Sequence, residues 1–169
     1  MRIFCLILSM GLWCLSAVTW AQSTIHNVML GQLAQDGMNL SSGVRRENLH
    51  WVLWSRPIAQ AYNPNGFITN DFIPFCQVDF KLIKAGSAWH EHWVGPMRLT
   101  VTGPEYGTQV QLQGPGHYQW KIHYQPPVVN GFYRHIDKAT GVAPWWKPFT
   151  LTYQFTLTPQ GQIVKGATS

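Results

Sequence analysis

Two stretches of strict alternation constrain this chain more than any other feature. In HYQWKIHYQ (117–125), Tyr118, Trp120, Ile122 and Tyr124 fall on one side of an extended backbone, with His117, Gln119, Lys121 and His123 on the other. In FTLTYQFTL (149–157), Leu151, Tyr153, Phe155 and Leu157 likewise oppose Thr150, Thr152, Gln154 and Thr156. A period of two over nine residues predicts a strand with one buried and one wet face. His117 and His123 then belong to solvent rather than to a metal.

Further β-branched and aromatic runs recur between Gly, Pro and Asn punctuation: 49–54, 72–83, 93–103 and 108–113. Turns are predicted at Asn63-Pro64-Asn65-Gly66, Ala85-Gly86, Gly114-Pro115-Gly116 and Pro126-Pro127. Short strands at such spacing imply an all-β, antiparallel sandwich or barrel. Residues 22–48 show weaker periodicity, broken by Gly31, Gly37 and Gly43, and are read as a partly irregular N-terminal arm before a sandwich over 49–169. There is no repeat, linker or second domain in the pattern.

The amino terminus reads differently. Arg2 precedes an apolar run from Ile3 to Trp20, and Thr19-Trp20-Ala21 has small side chains where a signal peptidase reads them. Residues 1–21 are therefore expected to be a secretory signal peptide, giving an exported product that does not insert in the membrane after cleavage, with an uncut membrane anchor as the alternative, since the run would just span a bilayer. Cleavage removes Cys5 and Cys14 and leaves Cys76, inside the alternating IPFCQVDF (73–80), as a buried hydrophobe. The formal charge of +5 comes from scattered basic residues with no run that would follow a phosphate backbone. No nucleic-acid partner is expected.

Catalytic motifs are absent from the sequence: no Walker loop, no dinucleotide fingerprint, no Gly-x-Ser-x-Gly elbow. The seven acidic residues include no adjacent pair suited to acid/base work, so the chain is expected not to be an enzyme. Seven histidines and Met97 make metal binding the first chemistry to weigh, since imidazole with thioether suits copper and imidazole with carboxylate suits iron, manganese or zinc. WHEHW (89–93) places His90 and His92 on one side of an extended segment, a possible additional metal pair if a third ligand approaches. Beside His135, Arg134 disfavours a protonated ring and Asp137 is placed to orient it. Trp51 and Trp54 lie on opposite faces of their strand; Trp145 and Trp146 are expected in core or dimer packing, with a sugar-stacking platform as the alternative.

The segments NPNGF (63–67), IPF-x-x-x-DF (73–80), GPEYGTQV (103–110), GPGHY (114–118), GFYRHIDKATGV (131–142) and PWWKPF (144–149) resemble, in this order, the periplasmic high-affinity iron-transport proteins. That resemblance implies an immunoglobulin-like β-sandwich, a homodimer, and a copper ion, with iron as the alternative, near the dimer interface. It also implies partnership with an inner-membrane iron permease and a cupredoxin-like carrier. The family's ligands are a His-x-Glu on an early strand, a methionine, a loop histidine and the histidine of the Arg-His-x-Asp segment. By that match the ligands would be His50, Met97 (to within one residue of spacing), Glu105 and His135, with Val52 where the family has its glutamate and Glu105 where it has a histidine. These two departures leave a second expectation: a divergent structural or protein-binding module whose metal site has decayed.

Overall fold

The computed structural model describes residues 26–166. The expected signal peptide, 1–21, lies outside the described residues. Ten strands, every neighbouring pair antiparallel, form two five-stranded sheets. Sheet A contains β1 (Asn27–Gln35), β2 (Met38–Glu47), β3 (His50–Ala59), β6 (Met97–Thr100) and β7 (Gly103–Val110), in the order β1-β2-β3-β7-β6. Sheet B contains β4 (Gln77–Lys84), β5 (His90–Val94), β8 (Gly116–Gln125), β9 (Phe149–Leu157) and β10 (Ile163–Lys165), in the order β10-β9-β8-β4-β5. The chain crosses between sheets after β3, β5 and β7. The result is the all-β antiparallel sandwich that the alternation predicts, in the immunoglobulin-like form that the resemblance implies.

Alternation places the core between the sheets. Tyr118, Trp120, Ile122 and Tyr124 of β8 and Val78, Phe80 and Leu82 of β4 pack toward Leu40, Val44, Leu53 and Tyr106 of sheet A, all of them buried. Edge-on contacts between Phe80 and Trp120 (5.2 Å) and between Tyr106 and Tyr124 (6.4 Å) fill the centre. The tyrosine hydroxyls carried inside are paired: Tyr124 donates to Ser55 Oγ at 2.7 Å, and Tyr106 donates to Ile73 O at 3.0 Å while accepting from Cys76 N at 2.8 Å; the buried indole N–H groups of Trp120, Trp145 and Trp146 have no hydrogen-bond partner among the described residues. Cys76 is a buried free thiol, and burial pushes its pKa up to about 12, which makes it inert.

The reading of residues 22–48 as a partly irregular arm ahead of the sandwich is corrected for 27–47, which form two strands of the sandwich itself. Asp36-Gly37 joins them as a two-residue loop with both φ angles positive, 51° and 76°, where Gln35 pairs with Met38. That Asp-Gly pair is a hairpin signal the sequence offered. The periodicity was obscured by an irregularity between Met29 and Gly31, which shifts the alternation of β1. Gly43 faces Trp54, whose ring lies where a Cβ would otherwise stand, at 2.7 Å. It is a packing glycine, not a breaker.

Candidate functional site

The expected ligands come from three places in the fold. His50 opens β3, and Val52, Trp54 and Arg56 follow it on the face of sheet A that points away from the core. On β7, Glu105 and Gly107 share that face, Gly107 lying opposite Trp54 and Trp54 opposite Gly43. Trp54 is therefore flanked by glycines on both neighbouring strands. Its ring settles over Gly43 and its indole N–H donates to Asn27 Oδ1 at 3.0 Å, while the Arg98 stem occupies the space above Gly107. Val52 and Trp54 are buried here although they belong to the outer face, a second small layer apart from the main core.

Glu105 is the centre of this layer. Its side chain is 0% exposed, and Arg45 grips both carboxylate oxygens, at 2.8 and 2.6 Å. Arg56 and Arg98 approach the same carboxylate at 3.6 Å each. Glu47 extends the network, accepting from Arg45 Nε at 2.7 Å and from Arg98 at 2.8 and 3.0 Å. Glu47 starts beside His50, whereas Arg98 pairs with Glu105 in the ladder, near the other end of β3. The coil of the sheet and the length of the arginine stems bring these corners together. Burial works against the charge on Arg45, but hydrogen bonds to Glu105 and Glu47 prevail and raise its pKa. Burial likewise works against the Glu47 carboxylate, and the Arg98 and Arg45 hydrogen bonds prevail and lower its pKa.

Met97 points elsewhere. It pairs with Tyr106, a core-facing residue, so its thioether lies on the opposite side of sheet A from Glu105, half-exposed beside Phe75 and Cys76. His135 is exposed in the segment between the 3-10 turn (Pro127–Asn130) and β9. Its Nε2 lies 3.0 Å from Thr140 Oγ1, whose hydroxyl donates to Asp137 Oδ1 at 3.2 Å. That donation leaves Thr140 Oγ1 free to accept from an N–H at Nε2 of the ring. Asp137 does not touch the ring: it also accepts from the N–H groups of Ala139 and Thr140, which hold its pKa low. Arg134 donates to Val142 O at 2.9 Å. Both expected helpers of His135 therefore hold the loop, and Asp137 reaches the imidazole only through Thr140.

His90 and His92 lie on the edge strand β5, exposed and on the same outer face of sheet B. His92 Nε2 is 4.0 Å from Asp79 Oδ1. Trp146 is buried and Trp145 half-buried, and the two meet edge-on with centroids 5.5 Å apart. Among the described residues, no three His, Cys, Asp or Glu side chains are grouped so as to hold a metal ion.

Comparison with known proteins adds the lineage. The model of the Fe2+ transport protein family matches residues 21–158. This chain belongs to that family. A UPF0423 protein of Brucella abortus (strain 2308) is 38% identical over 108 residues, 62% of this chain and 58% of that relative, so the match spans little more than half of the relative's length. The "as isolated" FetP of uropathogenic Escherichia coli strain F11 is 26% identical with a TM-score of 0.71, covering 78% of this chain and 96% of FetP. A copper-bound variant of FetP gives 25% identity and a TM-score of 0.70, covering 77% and 96%. A copper-bound variant of Campylobacter jejuni P19 shares the fold, with 24% identity, a TM-score of 0.72, and coverage of 78% and 97%.

Proposed function

We propose that this family member is an exported, non-enzymatic accessory protein of periplasmic high-affinity iron uptake that works by protein contact. Its partners on this reading are an inner-membrane iron permease and a cupredoxin-like carrier, with the chain itself a homodimer. The observation that carries the contact role is an aromatic stack open to solvent. Phe75 is 46% exposed and lies on Phe132, itself 38% exposed, with centroids 5.3 Å apart; Tyr133 beside them is 78% exposed. Phe75 holds this position at a φ of +61°, a conformation that costs a bulky side chain free energy and is retained where surrounding structure imposes it. Exposed aromatic surface on a strained residue supports a docking function more readily than a folding one.

The test is iron uptake in cells lacking the gene, supplied with wild type or Phe75→Asn. Asparagine tolerates the positive φ, so the fold is kept while the ring is removed. Uptake is expected to be restored by wild type and not by the variant. Full restoration by Phe75→Asn contradicts the contact role, and no uptake defect without the gene contradicts the iron-uptake reading itself.

A second reading, copper binding, is supported by the exposed imidazole of His135 and by the copper-bound FetP relative. Copper would then be held through the exposed imidazole of His135, and the check is a calorimetric titration with Cu(II) and anaerobic Fe(II). His135→Ala is expected to abolish that binding; unchanged binding assigns the metal elsewhere.

A further inference from the structure

The resemblance leaves the methionine position open by one residue, and the ladder between β6 and β7 decides which of the two faces Glu105. Met97 pairs with Tyr106 and points to the core side; Arg98 pairs with Glu105 and shares its face. The positions that converge on this face are thus His50, Val52, Arg98 and Glu105. Of the expected donors, one imidazole and one carboxylate lie on this face, and the β6 side chain that shares it with Glu105 is Arg98 rather than Met97.

The carboxylate is not available either. Both oxygens of Glu105 lie within 2.8 Å of Arg45, two more guanidiniums lie at 3.6 Å, and the side chain is 0% exposed. A divalent cation entering here would displace a bidentate guanidinium and then sit among three others of its own sign, counting the one displaced. Three arginines already face two carboxylates, so the network has a cation in surplus before any metal arrives. The residues present do not fit a metal at Glu105.

We propose that the guanidiniums of Arg45 and Arg98 stand in for a metal ion on the outer face of sheet A, so that this chain keeps the frame of a metal-binding family with an internal ion-pair network at the ligand positions. The glycine at 107 accommodates the exchange, since the Arg98 stem passes 3.2 Å from where its Cβ would be. The inference concerns this face alone and does not depend on the iron-uptake reading. Copper held by exposed imidazoles elsewhere leaves it intact.

The experiment is Cu(II) titration of the purified chain, followed by calorimetry and electron paramagnetic resonance, on wild type and Glu105→Gln. Whatever copper the wild type takes up, Glu105→Gln is expected to take up with an affinity within about twofold and the same spectrum, while its unfolding midpoint falls by roughly 10 °C. Because Glu105→Gln leaves Arg45 buried without its partner, the double substitution Arg45→Met with Glu105→Met is titrated beside it; removing both charges is tolerated where removing one is not. It too is expected to match the wild type in copper binding. A loss of affinity of about tenfold or more, or a changed copper spectrum, in either folded variant overturns the proposal by making Glu105 a ligand.

Discussion

The outer faces of the two sheets obey the same pleat and have opposite fates. On sheet B the outer face is a polar surface: Gln77, Asp79, Lys81, His92, Lys121, His123 and Thr150 line an open groove of about 470 Å³. Lys81 and Lys121 pair directly across strands β4 and β8, and His123 meets Thr150 Oγ1 at 3.1 Å. On sheet A the corresponding face folds over itself. Val52, Trp54 and Glu105 are buried there beneath arginine stems, and every carboxylate oxygen has a guanidinium partner. One face is a solvent surface whose residues act singly, and the other is a second core whose residues act as a set.

The largest difference is expected from removing one charge on each side. Glu105→Ala leaves Arg45 buried without its counter-ion and is expected to cost about 3–5 kcal/mol in chemical denaturation. Lys121→Ala on the open face provides the comparison, within about 0.5 kcal/mol of wild type. Equal losses would erase the distinction between the faces.

Packing comes next. At Gly43 an added Cβ meets Val28 O at 2.6 Å and the Trp54 ring at 2.7 Å, so Gly43→Val is expected to destabilise by about 1–3 kcal/mol. Quenching or a shift of tryptophan fluorescence should accompany it if Trp54 is the residue displaced.

Acid sharpens the same comparison more gently. The folded pKa of Glu47 lies below its ordinary value, so the unfolded chain binds the proton more readily. The network's contribution is therefore present above the ordinary carboxylate range and is lost as pH falls below it through the folded pKa. Denaturation midpoints measured down through that range are expected to fall less steeply in Glu47→Gln than in wild type. The smallest effect is expected at His123→Ala, whose ring bonds a surface threonine: stability within about 0.5 kcal/mol of wild type by the same assay.

How much of this was legible follows the same division. β9 runs over 149–157 and β8 over 116–125, as the alternation predicts, because each has one dry and one wet face. The 93–103 run divides into β5 and β6 at Gly95-Pro96, where the chain changes sheet. That break hid the phase of the alternation and with it the choice between Met97 and Arg98. The 72–83 run becomes a strand only at Gln77, since Phe75 adopts a positive φ. His50 and Glu105 were named together only through the resemblance, and Arg45 lies 60 residues from Glu105, a distance at which no local pattern announces a contact. The alternation put Trp51 and Trp54 on opposite faces without saying which is core; the burial of Trp54 outside the core depends on glycines in two other strands.

The most direct test of the account is a double-mutant cycle on Arg45 and Glu105, using Arg45→Met, Glu105→Met and the pair in equilibrium unfolding. If the two form the buried pair that organises the outer face of sheet A, each single change is costly, the double change recovers much of the loss, and the coupling is at least about 2 kcal/mol. A coupling below about 0.5 kcal/mol, with additive losses, would mean that Arg45 is not the counter-ion of Glu105 and would return that carboxylate to the list of possible metal ligands.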